Sequence, residues 1–270
     1  MYGVAYLDEI RKGLDYIQGT QWPAMEEAAN VLADVFESGG LVHIFGPGHA
    51  HIMAVEIGRA SGLPLFNQIL DPDLIPFFGP QVAYLENLEG YGAILLHTFD
   101  TRPDEAIIVV SMAGRCAVAI DIALAGKRKG LTVIGITGVE YTQKFEPWHS
   151  SGKRLMDVAD IVIDNMSPVG EGAVQMEGVP HKVGPSTTVL SVTILNSLQV
   201  MAVEKLLERG ITPPVNFSAN VDYSRAERER YQQARERFAE AIQRRGRRIR
   251  PSETLREILE VSKGYTEKRS

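Results

Sequence analysis

Three short segments of the 270-residue chain join small residues to the start of a helix: GPGHAH at 46–51, SMAGRC at 111–116 and VGPSTT at 183–188. At such a junction the first backbone N–H groups lack partners inside the helix, and the positive end of the helix dipole points the same way. An anion is the natural guest. The candidate binding residues are Gly46, Gly48 and His49 in the first segment, Ser111, Gly114 and Arg115 in the second, and Ser186, Thr187 and Thr188 in the third. Arg115 adds a planar guanidinium suited to a bidentate contact with an oxyanion. The first segment lacks the third glycine of a dinucleotide fingerprint, and no acidic residue follows about 20 residues on in a clear βαβ unit, which argues against a nicotinamide cofactor. No GK[ST] loop for a nucleoside triphosphate occurs, and no cofactor is expected.

Such loops act together only if a sheet brings them to one rim, and open parallel sheets do this at the carboxyl ends of their strands, where strand order reverses. Four apolar runs lack the alternation of a one-sided sheet: 41–46, 106–112, 131–137 and 159–165, with a weaker fifth at 63–69. Runs of this kind are buried on both faces, as in a parallel sheet covered by helices. Two amphipathic stretches precede them, Val4 to Gln18 and Pro23 to Glu37. A helical crossover, RCAVAIDIALAGKRKG, separates the second and third runs, and a long helix from Ser186 to Glu208 follows the last. This alternation predicts a doubly wound, three-layer α/β sandwich around a central five-stranded parallel sheet, flavodoxin-like in plan. YLENLEGYGAILLHTF, within the Asp71 to Pro103 segment, reads as helix between irregular, Pro-rich flanks.

Net charge is -6, divided unevenly: from Asp222 onward 14 Lys+Arg face 9 Asp+Glu, and the preceding residues carry 14 against 25. An acidic body with a basic tail is not a nucleic-acid-binding core. Residues 223–270 are expected to be a charged helical tail, exposed or packed on a partner, beside a domain spanning 1–222. The single cysteine, Cys116, fits a reducing compartment. The charged opening MYGVAYLDEIRKGLDY is no signal peptide, and no uninterrupted apolar run looks long enough for a bilayer, so a cytoplasmic protein without membrane contact is expected.

From Val4 to Asp222 the chain resembles the sugar isomerase (SIS) domain family. Two leading helices, a G-x-G loop, an S-x-x-G loop after the second strand and a Ser/Thr-rich start to the last helix carry the likeness. LEGYG, IIVVSMAGR, HSSGKRLMDVADIVIDN, VGPST and SANVD are similar to a phosphoheptose isomerase-like branch. The resemblance implies a sugar phosphate ligand, aldose–ketose isomerisation, and a homodimer or homotetramer whose sites are completed by the neighbouring chain. Other members cleave a lactyl ether, form the isomerase half of glucosamine-6-phosphate synthase, or only sense sugar phosphates, and fold alone does not choose among these. Many members place serine at the end of the first loop and read S-x-S-G-x-[ST] in the second; Ala50, Ala113 and Cys116 stand there instead. Either backbone amides and Arg115 grip the anion, or the ligand is a sugar carboxylate or sulfonate.

Isomerisation needs a base beside the carbonyl carbon and a group that polarises the oxygen. Glu56, on the helix after GPGHAH and seven residues beyond His49, is the first candidate base, with pairing to Arg59 as its structural alternative. Glu89, with Glu86 three residues before it on one expected helix face, is the second, the alternative being solvated glutamates. His49 or His181 is the candidate assistant, and Glu171 and Lys182 flank the His181 loop. His49 and His51 alternate too closely on a helix start to face one metal, so no metal is expected. Cys116 is expected to pack, His43 to be a hydrogen-bonded core residue, and His97 has no assigned role. A non-catalytic sensor of a sugar acid or phosphate, and an etherase-type lyase, remain as alternatives to the isomerase.

Overall fold

The computed structural model describes residues 1–76 and 79–249; the last part of the expected tail, 250–270, lies outside them. Five parallel strands, β1 (Val42–Phe45), β2 (Phe66–Gln68), β3 (Ala106–Val110), β4 (Thr132–Thr137) and β5 (Ile161–Asp164), form one sheet in the order β2-β1-β3-β4-β5. Val42 pairs with Phe66 on one side and Ala106 on the other, and Ile134 pairs with Ile161 further along. β1 and β3 are buried throughout, which is why their sequences show no alternation. Strand order reverses between β1 and β3. The two loops leaving them, 46–50 and 111–116, therefore stand side by side at the rim.

One face of the sheet is covered by α1 (Tyr2–Tyr16), α2 (Trp22–Glu37), α3 (His51–Glu56) and α9 (Thr187–Glu208). α2 turns Met25, Ala28, Ala29, Leu32, Val35 and Phe36 inward at helical spacing, with Pro23 in its first turn. A π-helical turn, Ile17–Gln21, joins α1 to α2. The opposite layer contains α5 (Tyr91–His97), α6 (Ala117–Arg128) and α8 (Leu155–Val158), with Leu96, Val118, Ile122 and Leu155 in its core. Short helices α4 (Val82–Leu85) and α7 (Val139–Gln143) and an antiparallel hairpin of β6 (Gly172–Val174) and β7 (Val183–Pro185) complete the body.

Two expectations need correction. α9 has 22 residues and a mean hydropathy of 1.3 in its most apolar window, enough in length and composition to cross a membrane, but half of that window is buried, through residues such as Leu190, Ile194 and Leu198. The segment after Asp222 is also more than an exposed appendage. α10 (Arg225–Arg237) begins with a capping box between Ser224 and Glu227 and is mostly exposed. α11 (Ala239–Arg244) then turns inward, placing Phe238 and Ala241 in the same core as α2 and α9. Arg244 is buried beside Glu105, with Nη1 donating to Oε1 at 2.7 Å. The apolar residues of this segment are too widely spaced among charges to be seen as a core face from composition.

Candidate functional site

Gly48 is the pivot of the loop after β1. Its φ of +56° is left-handed, and a methyl group there would collide with the Glu86 carboxylate. Glu86 sits just past α4, with its carbonyl accepting from Val118 N at 3.0 Å. The carboxylate is half-buried and has no hydrogen-bond partner among the described residues; burial first, and then the negative charge of Glu171, raise its pKa. Glu171 approaches from the segment before β6. Its Oε2 lies 3.5 Å from His49 Nε2 and accepts a hydrogen bond from Thr187 Oγ1 at 3.3 Å. Glu171 also has φ +66°, a conformation that costs a residue with a side chain about 1 kcal/mol or more, and such strain gathers at working sites.

The loop after β3 stands beside the loop after β1. Gly114, φ +60°, approaches Thr137 and Thr142 so closely that a Cβ would stand 2.9 Å from either hydroxyl oxygen. Thr142 Oγ1 in turn donates to Ala113 O at 2.9 Å. Ser111 Oγ lies 3.6 Å from Cys116 Sγ, and burial pushes the thiol up to about 11, so Cys116 remains a thiol and packs as expected. The Glu86 charge acts on that same thiol. The 46–50 loop and the start of α9 thus meet the two carboxylates, Gly48 against Glu86 and His49 and Thr187 against Glu171, and the 111–116 loop feels Glu86 at Cys116; Ser186 is buried at the α9 cap, followed by Thr187 and Thr188.

Several expected residues lie elsewhere. α3 lasts only to Glu56, after which Ile57 is extended. Glu56 is therefore exposed at the far end of a six-residue helix, and among the described residues no hydrogen bond or ion pair joins its side chain to Glu86, Glu171 or His49. Glu86 and Glu89 do not share a helix face, because the chain turns between α4 and α5. That turn is fixed by Asp121, whose Oδ2 accepts from Gly90 N at 2.6 Å and whose Oδ1 lies 3.2 Å from His149 Nε2. Glu89 is committed to Ser150, accepting from its N at 2.8 Å and its Oγ at 2.5 Å. His181 is exposed in the β6–β7 connection. Arg115 turns aside: Nε donates to Glu146 O at 2.9 Å, and the guanidinium stacks 4.1 Å from the Trp148 ring and 4.9 Å from that of Phe145.

The other histidines follow their chemistry. His43 is buried, with Nε2–H donating to Glu105 Oε2 at 2.8 Å and Nδ1 accepting from Asn67 Nδ2 at 2.9 Å, the core role expected of it. Burial lowers His51 to about 4, and its Nε2 accepts from Asp71 N at 3.3 Å. No cluster of metal-binding side chains occurs among the described residues. The pair missed in sequence, Glu86 with Glu171, comes from residues 85 positions apart. The LEGYG and VGPST motifs near them were the available signal.

This sheet order, with its loops gathered at the β1/β3 reversal, is the architecture of a SIS domain, and the SIS domain family matches residues 5–138. A phosphoheptose isomerase structure from Neisseria gonorrhoeae shares the fold with a TM-score of 0.54 at 12% identity, over 74% of this chain and 96% of that one. The chain belongs to the UPF0309 family. It is 40% identical over 212 residues to the UPF0309 protein of Shouchella clausii, covering 76% of this chain and 86% of the relative. With that of Caldanaerobacter subterraneus it shares 37% over 222 residues, covering 80% and 90%.

Proposed function

We propose that the protein is a cofactor-free aldose–ketose isomerase acting on a sugar phosphate or another anionic sugar. The observation that carries this reading is the pair of unlike carboxylates at Gly48. Glu86 is half-buried, without a hydrogen-bond partner among the described residues, and raised in pKa, whereas Glu171 is tied to His49 and Thr187. Two titratable groups held in different environments are what acid–base chemistry requires. Glu86 takes the proton from the carbon beside the carbonyl and returns it to the neighbouring carbon. His49, oriented by Glu171, gives a proton to the carbonyl oxygen and receives one from the adjacent hydroxyl, so the enzyme ends as it began. The amides of Gly48 and His49, the 111–116 loop with Ser111 and Gly114, and the start of α9 with Ser186, Thr187 and Thr188 hold the anionic end. Support also comes from the phosphoheptose isomerase that shares the fold, which lends the reaction class as analogy.

In this reading Glu56, Glu89, His181 and Arg115 position structure or lie outside the cleft. A cytoplasmic homodimer or homotetramer is proposed with it. A groove of about 430 Å³ on the outer face of α9, lined by Trp22, Val192, Val200 and Met201, offers apolar surface for assembly. The decisive experiment incubates the chain with aldose and ketose phosphates and sugar acids in D2O. Deuterium is expected at the carbon beside the carbonyl, and Glu86→Gln should slow its entry by about 100-fold or more. Unchanged turnover in Glu86→Gln, or saturable binding without any exchange, removes the isomerase reading.

A further inference from the structure

On the β2 edge of the sheet, outside the cleft, two amide side chains clasp the segment 57–59. Gln68, the last residue of β2, donates from Nε2 to Ile57 O at 2.7 Å, and its Oε1 accepts from Arg245 Nε at 3.1 Å and Nη2 at 2.9 Å. Asn216 donates from Nδ2 to Gly58 O at 2.9 Å and Arg59 O at 3.3 Å, and its Oδ1 accepts from Arg235 Nη1 at 3.4 Å. The same Nη1 donates to Tyr231 Oη at 2.9 Å, and Arg59 Nε donates to Val55 O at 3.0 Å. Each of these guanidiniums is thus pinned by neutral acceptors.

Among the described residues none of the three meets a carboxylate. By contrast Arg244, immediately before Arg245, pairs with Glu105 and Asp100, and Arg209 pairs with Asp34 and Glu37. Burial, and then the charges of Arg59 and Arg235, lower the pKa of Arg245, so the three cations lie within reach of one another's field. Gathering like charges without a counter-charge costs stability, and here that cost is built in by two amides that orient arginines from α10 and from the end of α11 toward one loop.

We propose that Arg59, Arg235 and Arg245 form an anion site that takes a phosphate-type dianion or a diphosphate group. A single carboxylate would leave two of the three charges unanswered, whereas phosphate oxygens can accept from several guanidinium forks at once. This site is independent of the proposed reaction and of the cleft around Glu86.

The test is titration of the full chain with pyrophosphate, by calorimetry and thermal shift, against sodium chloride of equal ionic strength. A saturable site is expected that survives Glu86→Gln and weakens at least tenfold in Arg59→Gln and in Arg235→Gln. Because Arg59 is exposed, Arg59→Gln should fold normally, and without anion its melting temperature should equal or exceed that of the parent as repulsion is relieved. Binding unchanged in both arginine variants, binding no stronger than that of chloride, or tighter binding of a polyglutamate peptide at the same residues would overturn the proposal.

Discussion

Arg244→Met tests how the C-terminal segment is locked into the fold. Arg244 and Glu105 are both 3% exposed and meet at 2.7 Å, and Arg244 Nε lies 3.3 Å from Asp100 Oδ2. Burial alone would raise the Glu105 carboxyl, but hydrogen bonds from His43 and Arg244, with smaller help from the His43 ring's electrostatics and the Arg102 amide, bring it down to about 2. At about 1.4 kcal/mol per decade, a fall from 4.5 to about 2 corresponds to about 3 kcal/mol of stability at neutral pH. Because the folded-state value is depressed, that stability is present above about pH 4.5 and is lost as pH falls toward 2. Methionine keeps the apolar volume but leaves a buried carboxylate without its cation, a change that costs about 3–5 kcal/mol. With roughly 2 kcal/mol per molar urea, the unfolding midpoint at pH 7.5 should drop by about 2 M. Near pH 3 the cost should shrink, because Glu105 is then protonated in the variant. Glu105→Gln combined with Arg244→Met should lose less than the sum of the single changes. A cost below about 1 kcal/mol at pH 7.5, or the same cost at both pH values, would refute the argument.

Gly48→Ala forces a side chain into a left-handed conformation, costing about 1–2 kcal/mol, and pushes the Glu86 carboxylate aside; proton exchange should fall more than stability does, as read by deuterium entry beside urea unfolding. His51, lowered to about 4 from 6.5 by burial, contributes stability at neutral pH that declines as pH falls through 6.5 toward 4, by about 3 kcal/mol in all. His51→Gln should flatten that part of the stability–pH curve, and an unchanged slope between pH 6.5 and 4.5 would contradict the assignment. Truncation after Asp222 removes Phe238 and Ala241 from the core and Arg244 from Glu105, so the fragment should lack a cooperative melting transition; a fragment melting like the full chain would show that α11 adds nothing to the body.

The sheet was legible in the sequence because β1 and β3 at its centre are buried on both faces, as the unbroken apolar run AIIVV shows. The meeting of the 46–50 and 111–116 loops was legible for a related reason: a topology that reverses between β1 and β3 leaves few places where loops can meet. The carboxylates were not, since their positions depend on hydrogen bonds to residues distant in the chain. Glu86 and Glu89 look equivalent until Asp121 bends the turn between them, sending one to Gly48 and the other to Ser150, 61 positions away. Glu56 shares the helix of His49 in sequence, but α3 ends at Glu56 itself and leaves its side chain exposed. Arg115 shows the same limit from the cationic side: its fork suits an oxyanion, but Trp148, 33 residues on and itself 64% exposed, offers a ring face that holds it away. Local pattern thus specifies where chemistry can occur, and long-range polar pairing selects which side chain occupies that place. Substitutions at Asp121 or Ser150 should therefore disturb the cleft although neither residue enters it.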